Sequence, residues 1–319
     1  MRLGNHPRAV AVSPDSRWVY VYDTLDFQIR VVDAEKLETV ARIPCAQTKK
    51  SAAWVRGKLL FNSALEPMVG RRWISCSSCH PDGQADARTW QNPEGLRNTT
   101  GFAAMARTHP LHWSADRDEA HDFENTIRGP LMQGRGLIRG PAQKDLGPPN
   151  AGLSTDLDAM AEYCNSFWPT LSPHAAGPGK LSPAAERGKE VFFRTDVGCA
   201  SCHSGPLYTN SALEPKPFQL HDVGTGEDDP SEKMGPRYDT PTLLGIYRTA
   251  PYLHHGKART LREVLVEQNR GDRHGKTIQL AAPEIDALVA FLKSLPYEPV
   301  TQDSSGPIPS AKNKRSARF

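Results

Sequence analysis

Two five-residue strings constrain this chain more than anything else in it: Cys76-Ser77-Ser78-Cys79-His80 and Cys199-Ala200-Ser201-Cys202-His203. They take up four of its six cysteines. C-x-x-C-H is the attachment signature of a c-type haem. The two thiols, one helical turn apart, bond to the vinyl groups of the porphyrin, and the adjacent histidine becomes the proximal ligand of the iron. Other chemistries compete. Four thiolates from two C-x-x-C pairs suit zinc, but that leaves a histidine unexplained in each copy. A thioredoxin-like redox pair needs one motif and no histidine, and structural disulfides do not need this spacing. The expectation is two covalently bound haem c groups, with His80 and His203 as iron ligands.

A chain of 319 residues suits two domains or one large one. Hydrophobic residues make up 38%, and the 25 glycines and 27 prolines imply much ordered loop. Buried haems would supply apolar surface that side chains need not. The net charge of +3 gives no reason to expect a nucleic-acid or membrane-surface partner. No apolar run approaches membrane-spanning length, so no transmembrane segment is expected. Covalent haem attachment takes place outside the cytoplasm, which predicts a periplasmic or otherwise exported protein. The stretch "MRLGNHPRAVAVSPDSRWVY" has no apolar h-region. The expectation is therefore a fragment of a longer exported chain, or a misassigned start.

Four segments are expected. Residues 9–43 alternate short β-rich runs with turn signals at Ser13-Pro14-Asp15-Ser16, Asp23-Thr24 and Asp33-Ala34-Glu35. They resemble one blade of a YVTN-type β-propeller, and a simple hairpin extension is the plainer reading; either gives a short antiparallel β segment over 1–48. The first haem domain is expected over 49–170, closing with a helix that carries Leu153, Leu157, Met160, Ala161 and Cys164. A Pro/Gly-rich linker, "PTLSPHAAGPGKLSP", leads into a second haem domain over 171–300. There Ser182-Pro183 caps a helix running through Glu190. A capping box opens another at Thr260 that runs to about Gln268. Ile285, Leu288, Val289 and Leu292 mark the last helix. Residues 301–319 read as a disordered basic tail. The fold class is thus mainly α: two cytochrome c-like haem domains with long loops. Cys45 and Cys164 lie outside the motifs; Cys164 reads as a buried free thiol, with a Cys45–Cys164 disulfide as the alternative.

After the second motif comes "DTPTLLGIYRTAPYLHHGKARTLREVL" (239–265), and in the first half "GLRNTTGFAAMARTHPLHWSADRDEA" (95–120). Over roughly residues 60–297 the chain resembles the bacterial di-haem cytochrome c peroxidases and the related MauG-like enzymes. That resemblance implies a peroxidase that reduces hydrogen peroxide, supplied by a small redox donor (a cytochrome or cupredoxin). It makes Trp113 the aromatic relay between the haems. It makes Asn98, Thr249 and Pro251 the oxygen ligands of an interdomain Ca2+, a hard cation suited to carbonyl and amide oxygens.

Departures from the family pattern matter as much. Where the family has a distal methionine or tyrosine on the second haem, this chain has Gln268, a poor iron ligand. His274 in "NRGDRHGKT" is the first substitute and Met234 the second. The stretch "DGQADARTWQ" (82–91) lacks the family's removable distal histidine, with Met105, His109 and His112 nearby. The family's catalytic glutamate aligns with Gln133, whose neutral amide cannot take a proton. Glu124 is expected to stand in, with Asp122 and His121 as further candidates. Two hypotheses follow: a di-haem peroxidase, with MauG-like oxidation of a protein or small molecule as its variant, and a non-catalytic electron carrier with both irons capped.

Overall fold

The computed structural model describes residues 3–301. The chain opens with four strands, β1 (Pro7–Val12), β2 (Trp18–Asp23), β3 (Gln28–Asp33) and β4 (Glu38–Pro44), forming one antiparallel sheet in sequence order. The turn signals work as expected. Ser13 accepts from the Trp18 N–H, and the Asp33 carboxylate accepts from the Glu35 and Lys36 N–H groups, as Asx turns require. The middle strands carry the buried Val21, Val31 and Val32, while β1 is exposed throughout. Inside the sheet Arg30 pairs with the buried Asp23 at 2.8 Å. The sheet reaches the first haem motif through Arg8 and Asp82, 3.1 Å apart.

Two hydrophobic cores follow. The first lies between α1 (Ala52–Phe61) and a later helix, with the motif turn α2 (Cys76–Cys79), a hairpin of β5 (Thr89–Asn92) and β6 (Gly95–Asn98), and α3 (Phe123–Arg128) around it. That later helix is α4 (Thr155–Cys164), capped by Ser154. Phe61, Leu157, Met160 and Tyr163 are at its centre. The second core joins α5 (Pro183–Phe193), α6 (Leu261–Leu265) and α7 (Ala282–Lys293), with Phe192, Leu288 and Phe291 fully buried. The N-caps behave as chemistry dictates: Ser182 accepts from the Ala185 N–H at 3.2 Å, and Thr260 from the Glu263 N–H at 3.1 Å.

Each core turns on one glycine. Gly57 of α1 lies against the backbone of Ala159 in α4, and Gly188 of α5 lies against the backbone of Ala287 in α7. A Cβ at either glycine would collide with the facing carbonyl, so only glycine lets the helices approach this closely.

Several expectations need correcting. "Mainly α" overstates the helix: among the described residues no α-helix exceeds twelve residues, and turns and loops join short pieces. The helix from Thr260 stops at Leu265, because Val266 leaves helical geometry and the Gln268 N–H turns back to the Glu263 carbonyl. The helix from Ser182 runs three residues beyond Glu190. Helix α1 and the β5–β6 hairpin are elements that the sequence reading passed over. Cys45 is exposed and Cys164 buried, and both are free, so no disulfide joins them. One sheet is all that carries the propeller likeness among the described residues. From residue 302 onward the expected basic tail lies outside the described residues.

Replacing Gly188 with Ala should lower the unfolding free energy by about 1–3 kcal/mol, the usual cost of overpacking. Urea denaturation with an unchanged m-value would show it. Gly198→Ala, at a positive-φ turn with open space around it, should cost about 1 kcal/mol or less through backbone strain alone.

Candidate redox site

The first motif forms a single helical turn, which sets Cys76 and Cys79 on one side of the chain before His80 leaves it. The Ser75 N–H is held by the Ser78 hydroxyl at 3.1 Å. His80 Nδ1 lies 3.0 Å from the Thr100 carbonyl, and the ring rests against Phe102 with centroids 4.6 Å apart. The second motif forms a 3₁₀ turn opened by Gly198 at φ +84°. His203 Nδ1 lies 3.1 Å from the Tyr208 carbonyl. In both motifs a backbone carbonyl holds Nδ1, which orients the ring and leaves Nε2 for a metal, as metal-binding histidines require.

His203 does not stand alone. The His274 ring faces it with centroids 6.3 Å apart and planes 36° apart. Two imidazoles sharing one metal through bonds of about 2.0–2.1 Å have ring centres about 6 Å apart, so the pair fits an axial couple. The surrounding protein pushes His203 and His274 down to about 4, and His80 likewise, so each is the neutral imidazole that a metal takes. Burial also drives the thiols upward, Cys76 to about 12 and Cys79 and Cys199 to about 11. These thiols are therefore neutral in the protein as described. The two cysteine pairs also belong to different cores.

A cavity of about 470 Å³ runs from this second motif to the first domain. Its walls include Cys199, Cys202, His203 and His274 as well as Thr100 and Trp113. Its apolar lining (Leu244, Leu265, Leu288 and others) and convergent imidazoles are what a haem pocket needs. Trp113 donates its indole N–H to the Asn98 carbonyl at 2.9 Å. Its ring meets Tyr238 and His254 edge-on, each at 6.4 Å between centroids.

The residues expected to hold calcium come together. Asn98, Thr249 and Pro251 all border the cavity, and the Asn98 side chain lies 2.5 Å from the Pro251 carbonyl. The Asn98 Oδ1 is buried without a hydrogen-bond partner. The orphaned amide oxygen is one donor of the kind that a hard cation takes, whereas the Pro251 carbonyl is already engaged by the Asn98 amide N–H.

Other expectations do not survive. Glu124 is fully buried and committed: it accepts from Arg128 at 2.7 Å and from the Leu137 and Ile138 N–H groups at 2.8 and 3.0 Å. It anchors the 136–138 loop and is not poised for a substrate proton. Asp122 accepts from Asn150 at 3.0 Å, and burial pushes it up to about 6. His121 pairs with Asp158. Met234 is half exposed, and its N–H donates to Glu232. Gln268 Oε1 is buried without a partner. Near the first motif His112 stands out. Its Nδ1 lies 2.8 Å from Asp116, its ring packs on Phe123, and its φ of 71° is unusual for a non-glycine. His112 also contributes to lowering His80, so the two rings are electrostatic neighbours. His109 has an unpartnered buried Nε2 in the same region.

Sequence reasoning missed Tyr238, Glu232, His221 and Asp239. His221 sits 3.6 Å from Cys202 Sγ. Asp239 lies in the cavity wall, donates its N–H to the Trp113 carbonyl and accepts from Ser211 at 2.7 Å. Asp239 opens the 239–265 stretch that carries the family resemblance, and His221 offered a signal as a histidine; Tyr238 and Glu232 belong to no short motif.

No protein-family model matches the chain. Among curated proteins it is 33% identical to hydrazine synthase subunit gamma of Kuenenia stuttgartiensis, over 75% of this chain and 76% of that one. It is 31% identical to cytochrome c551 peroxidase of Nitrosomonas europaea, over 75% and 78%. Among solved structures, the diheme peroxidase BthA of Burkholderia thailandensis shares the fold, with a TM-score of 0.52 at 18% identity over 79% of this chain and 87% of that one.

Burial pushes the Asp239 carboxyl up to about 7, against the hydrogen bonds from Ser211 and the backbone. Between the ordinary carboxylate range and pH 7 the folded chain keeps a proton that the unfolded chain releases, so this group's contribution to stability falls as pH rises through that window. Asp239→Asn removes the effect while still accepting from Ser211. Its melting temperature should gain on wild type by about 2–4 °C between pH 4 and 7 and then stay level, by scanning calorimetry.

Proposed function

Because this chain belongs to the di-haem cytochrome c peroxidase and MauG-like family, we propose that it is a di-haem oxidoreductase that reduces hydrogen peroxide, with its two haem sites in unequal roles. One observation carries the reading: Trp113, His203, His274 and Thr100, the carbonyl partner of His80, all line a single cavity. When bound, the haems would supply redox-active iron.

The chain's own residues do the rest. Cys76, Cys79 and His80 would hold the first haem, and Cys199, Cys202 and His203 the second. His274, whose ring faces His203, would be a further ligand at the second site and would suit it to electron transfer. At the first site His112 moves the peroxide proton. Asp116 fixes its Nδ1, so Nε2 is the working atom, the arrangement by which a carboxylate orients a catalytic imidazole. Trp113 bridges the two sites, its indole held by Asn98. Asn98, Thr249 and Pro251 hold Ca2+ at the joint between the halves. The electron donor is a small cytochrome or cupredoxin, and the compartment is the periplasm. Oxidation of a protein or small molecule by the same stored equivalents is the MauG-like form of this activity. An electron carrier with both irons capped is favoured by one observation, the neutral Gln133 where the family has a glutamate.

Electron paramagnetic resonance of the oxidised, haem-loaded protein separates the two. The expected spectrum has one low-spin signal that His274→Gly converts to high spin, and one high-spin signal that peroxide removes. Two low-spin signals indifferent to peroxide would establish the electron carrier instead. His112→Gln should slow the peroxide reaction by about 10²–10⁴-fold while leaving haem attachment and the low-spin signal intact, by stopped-flow absorbance.

A further inference from the structure

Tyr238 adjoins Trp113 and is 3% exposed. The two rings are perpendicular, with centroids 6.4 Å apart. On its other side Tyr238 stacks on His254 at 4.0 Å and 21°. The phenol donates to Glu232 Oε2 at 3.1 Å and meets His254 Nε2 at 2.9 Å. Arg97 grips Glu232 with two nitrogens at 2.7 and 3.1 Å. Thr225 Oγ1 lies 3.3 Å from His254 Nδ1. One assignment satisfies every group: Thr225 donates to Nδ1, the Nε2–H donates to the phenol oxygen, and the phenol donates to Glu232.

Asp229, Glu232 and His254 place ligand atoms within 4.8 Å of one another, which raises the possibility of a cation site. Their partners argue against it. Arg97 already neutralises Glu232, and Asp229 accepts from the Leu96 N–H and from Ser231. The cluster is a hydrogen-bond relay that ends on a phenol.

We propose that Tyr238 is a redox-active residue, a second station beside Trp113 for the oxidising equivalent, with Glu232 as the acceptor of its proton. The inference rests on the peroxidase reading, in which hydrogen peroxide is the oxidant. Trp113, one electron short, takes one electron from Tyr238. The phenolic O–H bond breaks, and its proton crosses the 3.1 Å hydrogen bond to Glu232 Oε2. The products are a neutral indole, a neutral phenoxyl radical and a protonated Glu232, so charge and electrons balance. An electron from the external donor and the proton from Glu232 restore the phenol. Burial keeps the phenol protonated well above its usual range, so Tyr238 can lose its electron only together with its proton. Burial opposes the Glu232 charge, but Arg97 and the Met234 N–H outweigh it and hold this carboxyl below its usual range. A weak base suffices, because an oxidised phenol is a strong acid, and a weak base returns the proton readily.

The test is freeze-quench paramagnetic resonance of the haem-loaded protein after peroxide, with ring-deuterated tyrosine incorporated. The expected radical signal narrows on deuteration. In Tyr238→Phe, which keeps the stack on His254, the narrowing is lost and the radical lifetime shortens by about tenfold. Glu232→Gln, which still accepts from the phenol but cannot hold its proton, should slow the appearance of the radical. A signal indifferent to deuteration, or unchanged in Tyr238→Phe, overturns the assignment. A second arm works without peroxide: a flash-quenched ruthenium polypyridyl oxidises the protein directly. A phenoxyl band in wild type that Tyr238→Phe abolishes supports Tyr238 even if the haem spectrum ignores peroxide, a result that would sink the peroxidase reading alone. An indole radical with no phenoxyl band overturns the Tyr238 assignment.

Discussion

The two halves of this chain depend on the joint made by three consecutive residues of β6. The Leu96 N–H goes to Asp229, the Arg97 guanidinium to Glu232, and the Asn98 N–H to the His254 carbonyl at 2.6 Å. Arg97 and Glu232 are both buried, and an ion pair removed from water is costly to break because each partner would be left charged and unpaired. The joint therefore holds its register. Everything between the two cores takes its position from it: the Asn98 carbonyl holds the Trp113 indole, the Asn98 side chain meets Pro251, and Glu232 meets Tyr238.

On either side of the joint the two halves solve one packing problem in the same way. Each crosses two helices at a glycine, and each presents a neutral imidazole whose Nδ1 is tied to a backbone carbonyl. Where they differ is in what faces that imidazole. His274 faces His203, whereas beyond His80 the nearby histidines are His112, tied to Asp116, and His109, whose Nε2 has no partner. The same C-x-x-C-H spacing thus stands in unequal surroundings in the two halves, and the proposed division of electron transfer from peroxide chemistry rests on that contrast.

Much of this was legible beforehand because it is local. The helix caps at Ser182 and Thr260 depend on a hydroxyl meeting an N–H three residues on, and the sheet turns on an aspartate two residues before the N–H that it accepts from. The motif histidines are adjacent to their cysteines in the chain. His274 was reachable only through the family resemblance, which puts Gln268, a poor ligand, where the family has a distal methionine or tyrosine. Glu124 misled because a carboxylate's residue type says nothing about its partners; Arg128 and two loop N–H groups commit it, and the loop lies about a dozen residues away. The helix expected to run to about Gln268 ends at Leu265, and the Gln268 N–H goes to the Glu263 carbonyl.

The sequence by itself determined two haem-type motifs, the class of chemistry, the capped helices and the antiparallel start of the chain. These rest on covalent spacing and on hydrogen bonds within a few residues. Only the tertiary structure decided that His274 faces His203, that Asn98 reaches Pro251, that Glu124 is an anchor, and that Tyr238 joins Trp113 to Arg97 and Glu232. Those pairings span tens to more than a hundred residues, and their distances are set by helix crossings and a buried ion pair that no local pattern encodes.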